Sequence, residues 1–127
     1  MNQVKKKVLV IEDETALLHS IQSKLSTEGY EIESTSDGAQ GMNKVKEFNP
    51  DLIILDILLP GKDGFEILEE LRADANLTKI PVIIISRLDD VVSVAKGMKL
   101  GAKEYILKAK TRVDDIVEKA KNILEEE

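Results

Sequence analysis

Three runs of aliphatic residues constrain this chain more than any other feature: Val8-Leu-Val-Ile11, Leu52-Ile-Ile-Leu55 and Val82-Ile-Ile-Ile85. Each is too short for a helix and offers no polar residue to water. Each therefore reads as a strand covered on both faces, the condition found in the middle of a parallel sheet. Each run also stops abruptly at polar residues: Glu12-Asp13-Glu14, Asp56, and Ser86-Arg87. An ionised carboxylate is costly to bury inside a strand, so Asp56 belongs at the strand's C-terminal mouth, facing a crevice. In open α/β sheets that mouth is where ligands bind.

The segments between the runs supply the rest. From Thr15, residues Leu17, Leu18, Ile21 and Leu25 recur at helical spacing, and Gly29 closes that helix. Tyr30 to Ser34 alternates polar and apolar, as a half-exposed edge strand does. A helix from about Ala39 to Phe48 turns Ala39, Met42, Val45 and Phe48 inward and stops at Asn49-Pro50. Phe65, Ile67, Leu68 and Leu71 mark a third helix after Gly64. Leu88, Val91, Val92, Ala95, Met98 and Leu100 mark a fourth, closed by Gly101. Glu104 to Lys108 is a last short strand, and Val113, Ile116, Val117, Ala120, Ile123 and Leu124 form a regular amphipathic helix.

Strict alternation of five strands with five helices demands parallel strands and right-handed crossovers, with helices on both faces of one sheet. The aliphatic runs take the central places, and the weaker strands around Ile32 and Ile106 take the edges. The expected order is 2-1-3-4-5, the flavodoxin-like α/β arrangement. Residues 1–127 read as a single domain with no repeat or linker.

Composition excludes several functions. With 43% hydrophobic and 33% charged residues the chain is neither disordered nor membrane-spanning, since no apolar run approaches the ~20 residues a span needs. The basic N-terminal stretch leads through a short apolar run to Glu12 without a cleavage signature, so it is not a secretory leader, and a cytoplasmic location is expected. Zero cysteines exclude disulfides and thiolate chemistry. A net charge of -6 disfavours direct nucleic-acid binding, and Tyr30, Phe48, Phe65 and Tyr105 are too few aromatics for base stacking.

In a 2-1-3-4-5 sheet, strands one and three are neighbours at the point where the order reverses, so Glu12, Asp13 and Asp56 converge. Clustered carboxylates repel unless a cation neutralises them, and an all-oxygen set suits a hard ion such as Mg²⁺. Ser86 and Lys108, from strands four and five, add a hydroxyl and an ammonium. Together they frame a place for a tetrahedral anion. His19 stands alone beside the apolar face of the first helix and reads as a surface or partly packed side chain.

Val8-Leu-Val-Ile-Glu-Asp-Glu14, Asp56-Ile-Leu-Leu-Pro-Gly-Lys-Asp-Gly64, Pro81-Val-Ile-Ile-Ile-Ser86 and Gly101-Ala-Lys-Glu-Tyr-Ile-Leu-Lys108 together resemble the CheY-like receiver domain of two-component response regulators, over essentially the whole chain. The resemblance implies that Asp56 accepts a phosphoryl group from a sensor histidine kinase or phosphotransfer protein. It implies that Asp13 and Asp56 hold Mg²⁺, with Glu12 acting through water and the Leu58 carbonyl as a backbone ligand. Ser86 and Lys108 would contact the phosphoryl group, and Tyr105 would be the switch aromatic. Output would pass to a protein target on the face of helix 4, strand 5 and helix 5, where Lys96, Lys99, Lys103, Lys110 and Arg112 lie. Self-catalysed phosphorylation and dephosphorylation would be the only chemistry, with no effector domain in the chain.

Two residues depart from the family pattern. Ala109 replaces the usual Pro after the lysine, so a trans bond is expected; a cis bond before Ala costs about 3 kcal/mol. Arg87 stands where a small residue is usual and either shades the site or contacts phosphate. A degenerate receiver, binding partners without phosphorylation, is the alternative function. A phosphatase of the haloacid dehalogenase type needs a second Asp where this chain has Leu58. A flavin or dinucleotide binder needs a phosphate-cradling first loop, where this chain has three acids.

Overall fold

The computed structural model describes residues 4–126; the first residues of the basic N-terminal stretch and Glu127 of the acidic tail lie outside the described residues. Strands β1 (Lys7–Ile11), β2 (Glu31–Thr35), β3 (Leu52–Asp56), β4 (Val82–Ser86) and β5 (Glu104–Leu107) alternate with helices α1 (Thr15–Thr27), α2 (Gly38–Phe48), α3 (Gly64–Ala73), α4 (Val91–Lys99) and α5 (Val113–Leu124). All strand pairs are parallel, in the order β2-β1-β3-β4-β5. This is the expected arrangement, with the aliphatic strands in the middle.

Because side chains alternate along a strand, the central strands feed two separate cores. Val8, Val10, Leu52, Ile54, Ile83 and Ile85 point to one face, where α1 and α5 add Leu18, Ile21, Leu25, Ile116, Val117, Ala120 and Leu124. Leu9, Ile11, Ile53, Leu55, Val82 and Ile84 point to the other, where α2 and α3 add Met42, Val45, Ile67, Leu68 and Leu71. All residues of β3 and β4 are buried, Asp56 and Ser86 included. The edge strand β2 leaves Glu31 and Glu33 exposed, with Ile32 half-buried. No helix among the described residues is long and apolar enough to cross a membrane.

Helix α4 departs from the periodic reading. Asp90 caps it, its side chain accepting from Ser93 N–H at 3.0 Å, so Leu88 lies before its first turn. Val91 and Val92 are 83% and 76% exposed, and Met98 is exposed too, whereas the buried residue is Gly97. A Cβ on Gly97 would sit 2.7 Å from Ile84 and 2.9 Å from the Tyr105 ring. The helix therefore approaches the sheet through its backbone, which turns the larger apolar side chains outward. Ala39, expected inside, is likewise exposed, because α2 approaches its neighbours through Gly38 and Gly41.

Gly38 also secures the loop that follows β3. Its N–H donates to the Pro60 carbonyl at 3.0 Å, and a Cβ there would lie 1.8 Å from the Lys62 carbonyl oxygen. Backbone cannot rotate out of the way as a side chain can. Gly38→Ala is thus expected to lower stability by about 3 kcal/mol, at the upper end for overpacking. Urea unfolding checks this, and an unchanged midpoint would mean the loop is free to shift.

Candidate functional site

β1 and β3 are adjacent, with Ile11 opposite Leu55, so the residues just past them meet at the sheet's C-terminal edge. Glu12 and Asp56 are buried there at 0% and 1% exposure. Oxygens of Glu12, Asp13 and Asp56 lie within 4.8 Å of one another. Asp56 Oδ1 accepts the Leu58 N–H at 3.3 Å, which starts the turn away from the strand.

Lys108 enters from the far side of the sheet. It was expected to end β5, but the strand stops at Leu107 and Lys108–Lys110 form a 3₁₀ turn. All peptide bonds among the described residues are trans, Lys108–Ala109 among them. The ammonium is nearly buried and touches three carboxylates: Asp56 Oδ2 at 2.9 Å, Glu14 Oε1 at 2.8 Å, and Glu12 Oε1 and Oε2 at 2.9 and 3.0 Å. Glu12 Oε2 also accepts the Glu14 N–H at 2.8 Å. An ammonium has three protons to donate, and here each has a carboxylate.

The electrostatics follow from burial. Removal from water pushes the Glu12 carboxyl up to about 7, against the bonds from Glu14 N–H and Lys108 that lower it. Burial likewise raises Asp56, against the Lys108 bond. Burial alone would lower Lys108, but its bonds to Glu14, Asp56 and Glu12 hold it above its ordinary value. Glu14, at the rim, is held low by its bond to Lys108.

A cation fits this donor set. Asp13 Oδ1 is buried without a hydrogen-bond partner, and Glu12 Oε1, though near the ammonium, receives no well-directed hydrogen bond. Orphaned buried carboxylate oxygens are expensive, and an all-oxygen site with no histidine or thiolate suits a hard divalent ion.

Ser86 ends β4 beside Asp56, which pairs with Ile85. Its side-chain oxygen accepts the Leu88 N–H at 3.0 Å, and the Tyr105 hydroxyl donates to the Leu88 carbonyl at 2.9 Å. Tyr105 is thus half-buried and joined to the crevice through the β4–α4 loop. Burial raises its phenol, with the nearby Ser86 hydroxyl working the other way. Arg87 is exposed, with Nη2 3.7 Å from Glu14 Oε1. His19 is exposed and lies outside the cluster, beside a hollow of about 340 Å³ lined also by Thr15, Leu18, Ser34, Thr35 and Ser36.

Glu14 is the contact that sequence reasoning missed. It was visible as the third acid after β1, but nothing in the chain's order aims it at Lys108, 94 residues away.

A parallel sheet in the order 2-1-3-4-5, with buried acids at its reversal point faced by a lysine and a serine, has the CheY-like form of the flavodoxin-like fold. The chain belongs to the response regulator receiver domain family, whose pattern matches residues 8–121. It is 33% identical over 108 residues to the DNA-binding response regulator MtrA of Mycobacterium tuberculosis, covering 85% of this chain and 46% of that protein. The chain therefore spans less than half of that relative. The CheY-like receiver domain protein of Methanospirillum hungatei superposes with a TM-score of 0.86 at 29% identity, covering 95% of this chain and 94% of that one. The phosphorylated cyanobacterial phytochrome response regulator RcpA superposes at 0.81 with 31% identity, covering 96% and 93%.

The raised Glu12 pKa sets a pH dependence. Folded, Glu12 keeps its proton up to about pH 7; unfolded, it does so only below its ordinary 4.5. Folding takes up a proton between those values, so stability falls as pH rises through the window, by up to about 3 kcal/mol. In metal-free buffer the urea midpoint of the wild type should decline across the window more steeply than that of Glu12→Gln. Parallel declines would assign the titration elsewhere.

Proposed function

We propose that this receiver domain is a phosphorylation-switched binding module in which Asp56 accepts the phosphoryl group. The observation that carries the reading is the Asp56 carboxylate, buried at the strand mouth with the Lys108 ammonium 2.9 Å away. The donor is the phosphohistidine of a sensor kinase or a phosphotransfer protein. An Asp56 oxygen forms the new P–O bond as the P–N bond to the imidazole breaks, and the ring nitrogen keeps the electron pair and takes a proton. Lys108 offsets the negative charge that the phosphoryl oxygens bring into the crevice, and the Ser86 hydroxyl donates to one of them. Asp13, Asp56 and the Leu58 carbonyl would hold Mg²⁺, with Glu12 assisting through water. The ion, when bound, neutralises the acids and the transferring group.

The output route runs from Ser86 through Leu88 to Tyr105. A phosphoryl group that draws in the Ser86 hydroxyl competes with the Leu88 N–H for it, which alters the loop that the Tyr105 hydroxyl holds. Because that ring is already half-buried, the change is one of partner and position, not of an open ring closing. The receiving surface is the face of α4, β5 and α5. Lys99, Lys103, Lys110 and Arg112 are exposed on these elements, and α4 adds its exposed Val91, Val92 and Met98. The Lys96 ammonium, expected on this face, instead lies over the Phe65 ring of α3, 4.7 Å from its centroid. A protein with an acidic or mixed apolar surface fits it. Its relatives' DNA-binding role would need a further part of the protein.

The test is mass spectrometry after incubation with acetyl phosphate and Mg²⁺. The wild type should gain roughly 80 Da, one phosphoryl group, while Asp56→Asn gains nothing and Asp13→Ala gains far less. Equal labelling of wild type and Asp56→Asn would move the acceptor elsewhere. No labelling of either would favour the degenerate receiver, which binds partners unphosphorylated.

A further inference from the structure

The Lys108 ammonium and a divalent cation want the same oxygens. Two of the three carboxylates on Lys108, Glu12 and Asp56, belong to the acidic cluster with Asp13. A cation entering the cluster repels the ammonium and takes part of its hydrogen bonding. The ammonium cannot simply retreat into water, because its side chain is only 8% exposed. The third partner resolves the conflict. Glu14 sits at the rim, and its Oε1 lies 2.8 Å from Lys108 Nζ and 3.7 Å from Arg87 Nη2. Its own N–H meanwhile steadies Glu12 Oε2.

We propose that Glu14 is a positioning residue for Lys108: a rim carboxylate, flanked by Arg87, that keeps the ammonium seated when a cation occupies Glu12, Asp13 and Asp56. The inference rests on the metal site of the proposed function and adds a residue to it. Arg87 accordingly acts on Glu14, not on the phosphoryl group directly. With both partners well exposed its contribution is small.

The experiment is Mg²⁺ titration of the full chain, followed by NMR shifts of crevice amides, on the wild type, Glu14→Gln and Asp89→Asn. Gln keeps the shape and the backbone bond to Glu12 and removes only the charge. Asp89 is an exposed acid of the β4–α4 loop whose charge is felt at Tyr105. Among the described residues it makes no hydrogen bond or ion pair with Glu12, Asp13, Asp56 or Lys108, so its variant measures the simple loss of one negative charge. Glu14→Gln should weaken Mg²⁺ binding about fivefold, the most an exposed ion pair usually supplies, and Asp89→Asn less than about twofold. In a Lys108→Met background the Glu14→Gln effect should shrink to that of Asp89→Asn, since no ammonium remains to be seated.

A fivefold loss that persists without Lys108 would make Glu14 act on the cation itself and overturn the proposal. Should Lys108→Met not fold, the Lys108 ammonium ¹⁵N signal decides. At saturating Mg²⁺ it should stay protected from solvent exchange in the wild type and lose that protection in Glu14→Gln; equal protection in both overturns the proposal. A wild type that binds Mg²⁺, with Glu14→Gln and Asp89→Asn titrating alike, overturns this inference alone. A wild type that binds no Mg²⁺ overturns the metal site as well.

Discussion

One ammonium makes the C-terminal edge of this sheet tolerable. Glu12 and Asp56 have been taken out of water, and desolvation raises both carboxyls. Lys108, arriving from β5 after the chain has crossed the sheet, brings the positive charge that lets them stay there. Breaking a buried pair by removing one partner is far costlier than the net worth of the pair, because it strands the other charge. The edge nevertheless remains underneutralised. Glu12, Asp13, Glu14 and Asp56 face a single buried ammonium, with Arg87 only at the rim. That excess of negative charge, and the orphaned Asp13 Oδ1, is the physical reason the cluster fits a cation.

The frame around this edge is fully buried where the carboxylates sit, and it meets α4 mainly through backbone. β3 and β4 are buried throughout, and the loop after Asp56 is clasped by the start of α2. On the far side of α3, the Arg72 guanidinium donates to the carbonyls of Thr78, Ile80, Leu100 and Gly101, tying the end of α3 to the turn after α4. Between these anchors, α4 rests on the sheet through Gly97, and the β4–α4 loop is held by two hydrogen bonds at Leu88. A helix seated on a glycine has little interdigitation to lose when it shifts.

Much of this was legible in the chain. The aliphatic runs demanded a central parallel sheet because nothing in them could face water, and with the weaker strands at the edges the pattern matched the flavodoxin-like strand order. The polar residues that end those runs had to lie at one edge, so Glu12, Asp13, Asp56 and Ser86 were located by topology alone. Lys108 was marked by its place at the end of the last strand, even though the strand stops one residue sooner, at Leu107.

What tertiary structure decided was the direction of side chains and the identity of contacts between distant residues. Periodicity counts apolar residues, so it sent Val91, Val92 and Met98 inward and overlooked Gly97, whose missing side chain is the contact. It also could not turn Arg87 toward Glu14 or seat the Tyr105 hydroxyl on Leu88, since both depend on how a loop is drawn over the sheet edge. The sharpest case is Glu14. The sequence by itself placed an acid after β1, because a buried strand must end in something polar. Only the folded chain, by bringing residue 108 within 2.8 Å of it, made that acid a partner of the lysine.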